Sequence, residues 1–387
     1  MKKLTKVLSL VLAVVMLLAF AAGCQQGEAP AADKSEAPAA DKSEAPAADE
    51  SEAPDTDEPA TPPAAGGDSS ESVKIADFKA EHGEIGSYEP AGTEYSIAFI
   101  VKTLNNPYFI QMEDGLKQAV AAYAEKGITI NYSYQGPEKE TDSEKLVQMF
   151  ENAVTQKVQA ILVTPSDSQA IVPAVKKANE AGIPVITIDS QVDYDLLEKE
   201  GAFVTTWIGS NNFDGGVVAG QAMGEHFKDE EGPVQIAVLE GIAGHETAEN
   251  RKNGFSEGLS AYANCEIVAT QPADWEQEKG YNVFQNILTA NPEIKGVFGS
   301  NDMMASGAIQ AIAAANKQDD ILVIGFDASE TGIECIQDGT MYGSVAQYPD
   351  EMAMVAVDIA LQIIDGSSVV FPGIIYTTVE LKTKDML

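Results

Sequence analysis

The sequence is poor in cysteine, in histidine and in basic residues, and each shortage argues against a class of protein. It holds three cysteines, which are too few for a disulfide framework. It also holds only three histidines and no paired-cysteine spacing, which argues against a structural zinc site. Lys and Arg number 24 against 60 Asp and Glu, and this balance argues against nucleic acid as a partner. We therefore expect no metal, no cofactor and no nucleic acid partner.

Motifs of catalysis are also scarce. The chain has no phosphate-binding loop, no His-Glu-x-x-His pattern and no cluster of histidines. An enzyme is therefore the less favoured class, and a binding protein the more favoured one.

The N-terminus has the pattern of an export signal. Three lysines precede an apolar run over 8–20, which ends in Ala21-Ala22-Gly23-Cys24. This run is shorter than the roughly 20 residues that a membrane-spanning helix needs, so we expect a cleaved signal peptide over 1–23. Ala-Ala-Gly-Cys resembles a bacterial lipobox, which implies a lipid on Cys24 and a place on the outer face of the cell membrane. The alternative is an ordinary secreted protein with a chance cysteine.

A low-complexity segment follows the signal. It is rich in Ala, Pro, Glu, Asp and Ser, and the unit Glu-Ala-Pro-Ala-Ala-Asp recurs from Glu28, Glu36 and Glu44. Low hydrophobicity, frequent proline and repelling charges predict a disordered acidic linker over 24–93, attached to the lipid anchor. A binding segment within the repeat is the other interpretation.

The remaining chain alternates short apolar runs with amphipathic helical stretches. We expect strands at 95–101, 128–134, 159–163, 184–188, 203–208, 234–239, 266–271, 296–299, 321–325 and 342–346. We expect helices at 107–125, 143–156, 168–181, 212–227, 247–262, 277–290, 302–315 and 329–337. This order predicts an α/β protein with two doubly wound parallel-sheet lobes, and ligands of such sheets bind beyond the carboxyl ends of the strands.

Polar and aromatic residues occur where the expected strands end. Asn106, Asp189, Asn301, Asp327 and Gln347 follow strands, Arg251 lies on a helix, Trp275 lies in a loop, and Tyr108 and Phe109 open the first helix. Amides and carboxylates hydrogen-bond hydroxyl groups, and aromatic faces cover the C–H surface of a sugar, so this set suits a polyol. Each member also has a structural interpretation, since Asn301 and Asp327 are possible helix caps and the aromatic pair are possible core residues.

From Tyr95 to about Leu381 the chain resembles the periplasmic ribose-, allose- and galactose-binding proteins of ABC transport systems. The matching segments are 104–109, 186–189, 241–244, Arg251 with Gly254-Phe255, 271–275, 301–305, 325–327 and 346–347. The resemblance implies that Asn106, Asp189, Arg251, Asn301, Asp327 and Gln347 bind a monosaccharide while Tyr108, Phe109 and Trp275 stack on its ring.

The resemblance adds two further candidates and one departure. Lys102 follows the first strand, and His245 occupies a position that contacts ligand in the galactose-binding relatives. Ser190 departs from the ribose-binding relatives, which carry arginine there, so the expected ligand is a hexose such as allose or psicose, or else ribose. The calcium loop of the galactose-binding relatives has no counterpart, which again predicts no metal.

The resemblance also implies discontinuous lobes. The N-terminal lobe would comprise 94–209 plus 348–375, and the C-terminal lobe 210–347 plus 376–387. Sugar bound between them would favour closure, and an ABC permease would recognise the closed monomer. One alternative is a receptor that presents bound sugar to a chemotaxis or signalling protein. A sugar-responsive transcription regulator shares such lobes but lacks a signal peptide.

The lipobox generates the first prediction. Cys24→Ala should abolish lipid attachment, because only a cysteine thiol at this position accepts the acyl group. Fractionation of cells of the native host, with mass spectrometry of the mature N-terminus, measures the outcome. We expect wild-type protein in the membrane fraction and the variant outside it. A wild-type protein that is unlipidated and fully soluble contradicts the prediction.

Overall fold

The computed structural model describes residues 71–387, and the signal peptide, Cys24 and linker residues 24–70 lie outside the described residues. The strands are β1 (Ser72–Lys74), β2 (Glu94–Ile100), β3 (Thr129–Gln135), β4 (Ala160–Val163), β5 (Val185–Ile188), β6 (Trp207–Ser210), β7 (Val234–Glu240), β8 (Cys265–Pro272), β9 (Ile294–Gly299), β10 (Leu322–Asp327), β11 (Gly343–Ala346), β12 (Ile374–Thr377) and β13 (Glu380–Thr383).

The α-helices are α1 (Ile75–His82), α2 (Pro107–Glu125), α3 (Ser143–Gln156), α4 (Val172–Glu180), α5 (Tyr194–Glu200), α6 (Asn212–Phe227), α7 (Glu246–Leu259), α8 (Gln277–Ala290), α9 (Asp302–Ala314), α10 (Glu330–Asp338) and α11 (Pro349–Ile364). A short 3₁₀ helix over Lys384–Met386 follows the last strand. In 71–387 no helix is both long and apolar enough to cross a membrane.

The strands form two sheets, and this confirms the predicted fold class. The first sheet has the order β1-β12-β6-β5-β4-β2-β3 and is parallel throughout. The second has the order β13-β11-β10-β9-β7-β8, and only its edge strand β13 is antiparallel. The central strands β4 and β5 are wholly buried, as expected of parallel strands covered by helices on both faces. We call the parts built on these sheets the first and the second lobe.

The N-terminal boundary of the folded part was predicted wrongly. Residues 71–93 are not a linker, because β1 pairs in parallel with β12 and places Ser72 beside Ile374. The helix α1 follows directly and buries Ile75 and Phe78 in the core of the first lobe. Composition alone favours disorder here, but Ile75 and Phe78 pack against the apolar core of the first lobe.

Two buried or half-buried aspartates of α11 and its C-terminus hold the rest of this arm. Asp358 accepts hydrogen bonds from the backbone N–H of Gly86 at 2.6 Å and from the Tyr123 hydroxyl at 2.7 Å. Asp365 accepts from the Tyr88 and Tyr95 hydroxyls at 2.9 and 2.7 Å, and from the N–H of Ala91 at 2.7 Å. Contacts between residues so distant in sequence order a segment whose local composition predicts disorder.

Other element boundaries also differ from the predicted ones. Helix α5 was not predicted, although Asp193 caps its start by accepting from the N–H of Leu196 at 2.9 Å. The strand expected at 203–208 begins at Trp207, because the N–H of Phe203 donates to the Asn179 side chain instead. The expected lobe boundary at 375 falls inside β12, which pairs with β6 through Thr377.

Glycines allow α6 and α7 to approach closely. A Cβ atom at Gly254 would collide with the Phe213 carbonyl, and one at Gly220 would collide with the Phe255 carbonyl. The segment 254–258 reads Gly-Phe-Ser-Glu-Gly, but it lies within α7, and the Ser256 hydroxyl donates to the Lys252 carbonyl at 3.1 Å. It is therefore a helix-packing segment and not the strand-to-helix turn of a serine nucleophile.

The arm generates the second prediction. Phe78 is 5% exposed, so Phe78→Ala should lower the free energy of unfolding by about 3 kcal/mol through lost burial and a residual cavity. Urea unfolding followed by circular dichroism measures the change. The matched control is Glu81→Ala on the exposed face of the same helix, expected to stay within about 0.5 kcal/mol of wild type. Equal stability of Phe78→Ala and wild type would contradict the packing of the arm.

Candidate functional site

A cavity of about 290 Å³ lies where the carboxyl ends of the two sheets face each other. We call it the central cavity. Its lining comprises Lys102, Asn106, Tyr108, Phe109, Glu140, Asp189, Thr247, Arg251, Trp275, Asn301, Asp327 and Gln347. All the residues predicted from the sequence to bind sugar line it, except His245.

In the first lobe, a buried ion pair forms the floor of the cavity. Lys102 Nζ donates to Asp189 Oδ2 at 2.7 Å and to Ser190 Oγ at 2.5 Å. The Tyr108 hydroxyl donates to the other Asp189 oxygen at 3.1 Å. Burial raises the pKa of the Asp189 carboxyl, but the Lys102 ammonium and these hydrogen bonds outweigh it and hold the pKa below its usual value. Asp189 is therefore ionised at neutral pH.

Asn106 serves both as a helix cap and as a lining residue. Its Oδ1 accepts from the N–H of Tyr108 at 3.0 Å and caps α2, while its Nδ2 donates to Glu140 Oε1 at 2.9 Å. The cap directs Tyr108 and Phe109 inward, with their rings edge-to-face at a centroid separation of 5.2 Å. Both rings belong to the core and both line the cavity, so the two interpretations of this aromatic pair coincide.

In the second lobe, Arg251 is fixed by contacts within that lobe. Its Nε donates to Asn212 Oδ1 at 2.8 Å, and its Nη1 donates to the Ser300 carbonyl at 2.7 Å and to Asp327 Oδ1 at 3.3 Å. The guanidinium carbon lies 3.8 Å from the centroid of the Phe326 ring, so stacking adds to the hydrogen bonds. Arg251 thus presents a positioned cation to the cavity.

Asp327 accepts hydrogen bonds from Arg251 and from the side-chain amide of Gln347. Gln347 Nε2 donates to Asp327 Oδ1 at 2.6 Å, whereas the buried Gln347 Oε1 has no hydrogen-bond partner among residues 71–387. Burial raises the pKa of Asp327 well above its usual range. The Arg251 guanidinium lowers this pKa by less, and the carboxylates of Asp302 and Asp189 raise it further. A hydroxyl group that donates to Asp327 would favour its ionised form.

Asn301 and Trp275 line the second-lobe side of the cavity and are joined by a hydrogen bond. Asn301 Oδ1 accepts from the N–H of Met304 at 2.9 Å and caps α9, and its Nδ2 donates to the Trp275 carbonyl at 3.2 Å. Asn301 therefore caps a helix and also holds the loop that carries the indole. The neighbouring Asp302 is structural: it accepts hydrogen bonds from Ser329 and Ser344 and does not line the cavity.

The backbone is strained where the side chains enter the cavity. Asp189, Trp275 and Asp327 have φ values of 65°, 67° and 111°, in a region that non-glycine residues rarely occupy. Such conformations are costly and persist where the surrounding structure imposes them, commonly at functional sites.

One residue predicted to bind sugar lies outside this lining, and two lining residues were not predicted. His245 does not line the cavity; burial, and then the positive charge of Lys102, lower its pKa to about 4, so the imidazole is neutral at physiological pH. Glu140 and Thr247 line the cavity and were not predicted. The signal for Glu140 was its place after the carboxyl end of β3, equivalent to the places of Lys102 and Asp189 after their strands. Nothing in the sequence marked Thr247.

Comparisons with known proteins agree with this architecture. Residues 97–368 match the family model described as a periplasmic binding protein domain. The ribose import binding protein of Salmonella typhimurium is 35% identical over 71% of this chain and 86% of its own length. The D-allose-binding periplasmic protein of Escherichia coli is 30% identical over 68% of this chain and 81% of its own length.

A solved structure extends the comparison to the fold. The ABC transporter solute-binding protein of Actinobacillus succinogenes with bound D-allose is 37% identical, with a TM-score of 0.70 over 76% of this chain and 98% of that one. The two sheets, the cleft between them and these matches lead to one conclusion. The chain belongs to the periplasmic binding protein family.

Proposed function

We propose that this protein captures a monosaccharide between its two lobes and delivers it to an ABC permease. The carrying observation is a cavity in which both lobes supply positioned carboxylates, amides and aromatic rings. This composition suits a small neutral polyol, since each charged group of the cavity already has a charged or amide partner. Relatives named for ribose and allose binding support the same class of ligand. The protein is a binding protein and not an enzyme.

Closure of the lobes couples binding to delivery. A sugar that contacts both lobes satisfies all its hydrogen bonds only in the closed form, so it shifts the open-to-closed equilibrium. A hexose with about twelve heavy atoms, at about −0.8 kcal/mol per atom, binds with about −10 kcal/mol, which corresponds to a submicromolar Kd. The permease would then recognise the closed shape.

The proposal includes the place of the protein in the cell. The signal pattern and the Ala21-Ala22-Gly23-Cys24 segment support an extracytoplasmic lipoprotein, attached to the membrane only through Cys24. A monomer suffices, because one chain supplies both lobes of the cleft.

Asp189 and Asp327 generate the third prediction. Asp189→Asn and Asp327→Asn should each weaken sugar binding at least tenfold, because a hydrogen bond to a charged acceptor contributes about 1.5–3 kcal/mol. Calorimetric titration with the best sugar measures the effect, and circular dichroism confirms folding. The control is Asp319→Asn, an exposed aspartate that does not line the central cavity and should leave Kd within twofold. Unchanged affinity in both cavity variants would refute the site.

The identity of the sugar generates the fourth prediction, and its test is also the test of the proposed function. Ser190, which accepts from Lys102, is smaller than the arginine that ribose-binding relatives carry at this position, and Trp275 offers a broad stacking face. We therefore propose that an aldohexose or ketohexose such as allose or psicose binds more tightly than ribose. A thermal-shift screen of monosaccharides and polyols identifies the ligand, because a ligand bound only by the native state raises Tm.

Tryptophan fluorescence then gives the affinities. Trp275 lines the central cavity and Trp207 does not, so Trp275→Phe should remove most of the titration signal. Ribose binding at least as tight as that of every hexose would contradict the choice of ligand. A screen in which no sugar raises Tm would contradict sugar capture itself.

A further inference from the structure

A second cavity of about 370 Å³ lies beside the central one, on the side where the chain crosses between the lobes. We call it the hinge chamber. Its lining comes from both lobes and includes Gln191, Trp207 and Tyr376 from the first, and the Glu246 carboxylate and Asn250 from the second. It is larger than the central cavity.

The two spaces meet at two side chains. Asp189 and Thr247 line both the central cavity and the hinge chamber. The hinge chamber is therefore the space next to any molecule that Asp189 holds in the central cavity.

The chamber repeats the chemistry of the central cavity. Trp207 and Tyr376 form an edge-to-face aromatic pair with a centroid separation of 5.5 Å. Around this pair stand the amides of Gln191 and Asn250. The Gln191 amide and the Tyr376 hydroxyl have no hydrogen-bond partner among the described residues, and Asn250 has only a 3.5 Å contact to Glu246. Aromatic faces with unused amide and hydroxyl groups suit a further hydroxylated unit.

We propose that the hinge chamber is a second subsite, which takes a neutral hydroxylated substituent joined to the captured sugar through a glycosidic oxygen. The natural ligand is then a glycoside, and the monosaccharide captured in the central cavity is its sugar unit. This inference rests on the proposed sugar capture and narrows its substrate class.

The experiment compares two glycosides of the hexose that binds best in the screen. The methyl glycoside blocks the anomeric hydroxyl and leaves the chamber unfilled, whereas the glyceryl glycoside adds a short polyol. Both anomers of each are titrated into the full-length protein by calorimetry. For one anomer we expect the glyceryl glycoside to bind at least tenfold more tightly than the methyl glycoside and than the free hexose.

Chamber-filling variants test the location. Asn250→Phe places a ring in the chamber and should weaken glyceryl glycoside binding at least tenfold, with free hexose binding within twofold of wild type. The matched control is Asn253→Phe, on the same helix but exposed and outside both cavities, which should change neither affinity. If Asn250→Phe fails to fold, Gln191→Phe fills the chamber from the first lobe with the same expectation.

The outcomes separate the two proposals. Glyceryl glycosides of both anomers that bind no better than the free hexose, or an Asn250→Phe variant that weakens both ligands equally, would overturn the second subsite and leave sugar capture standing. Absence of binding by the hexose and by both glycosides would overturn both proposals.

Discussion

The cleft depends on the pairing of each buried charge within its own lobe. Lys102 pairs with Asp189 on the first sheet, and Arg251 pairs with Asp327 on the second. A buried charge that loses its partner is destabilising by several kcal/mol, so pairs that crossed the cleft would oppose its opening. Pairing within each lobe would let the lobes separate without leaving a charge unpaired. It also holds both carboxylates at the central cavity.

The two carboxylates of these pairs have different electrostatic surroundings. Asp189 has an ammonium group at 2.7 Å and a depressed pKa. Burial raises the pKa of Asp327, whose guanidinium partner lies farther away, at 3.3 Å. A hydroxyl group that donated to Asp189 would therefore meet a carboxylate that is already ionised. The same bond to Asp327 would shift a protonation equilibrium toward the ionised form.

The N-terminal arm protects the strand that links the lobes. Without β1, the edge of β12 would expose unpaired backbone groups, which favour pairing with other chains. Asp358 and Asp365 fix the rest of the arm to the first lobe through hydroxyl and backbone donors. The arm therefore belongs to the folded unit, although it lies within the range predicted as linker.

Periodicity in the sequence determined the fold class and most of the elements. Helices over 107–125, 143–156, 212–227 and 277–290 have the bounds that their apolar spacing predicts, because each covers a sheet with one face. The topological rule for parallel sheets then placed Asp189 at the carboxyl edge of the first sheet, and Asp327 and Gln347 at the carboxyl edge of the second. For these three residues, the apolar periodicity and the order of the strands along the chain are enough to predict their positions.

Only the tertiary structure decided the rest. Residues 71–93 are ordered by partners 270 or more residues away, such as Asp358 and Asp365, and no local pattern encodes those contacts. Thr247 lines the cavity and His245 does not, and this choice between neighbours at the start of α7 depends on how the helix sits in the fold. Asn106 and Asn301 each cap a helix and also line the cavity. The sequence predicts the cap at Asn301, but only the folded structure brings these helix N-termini together at the cavity. Burial and pairing are properties of distant residues brought together, whereas periodicity is a property of neighbours.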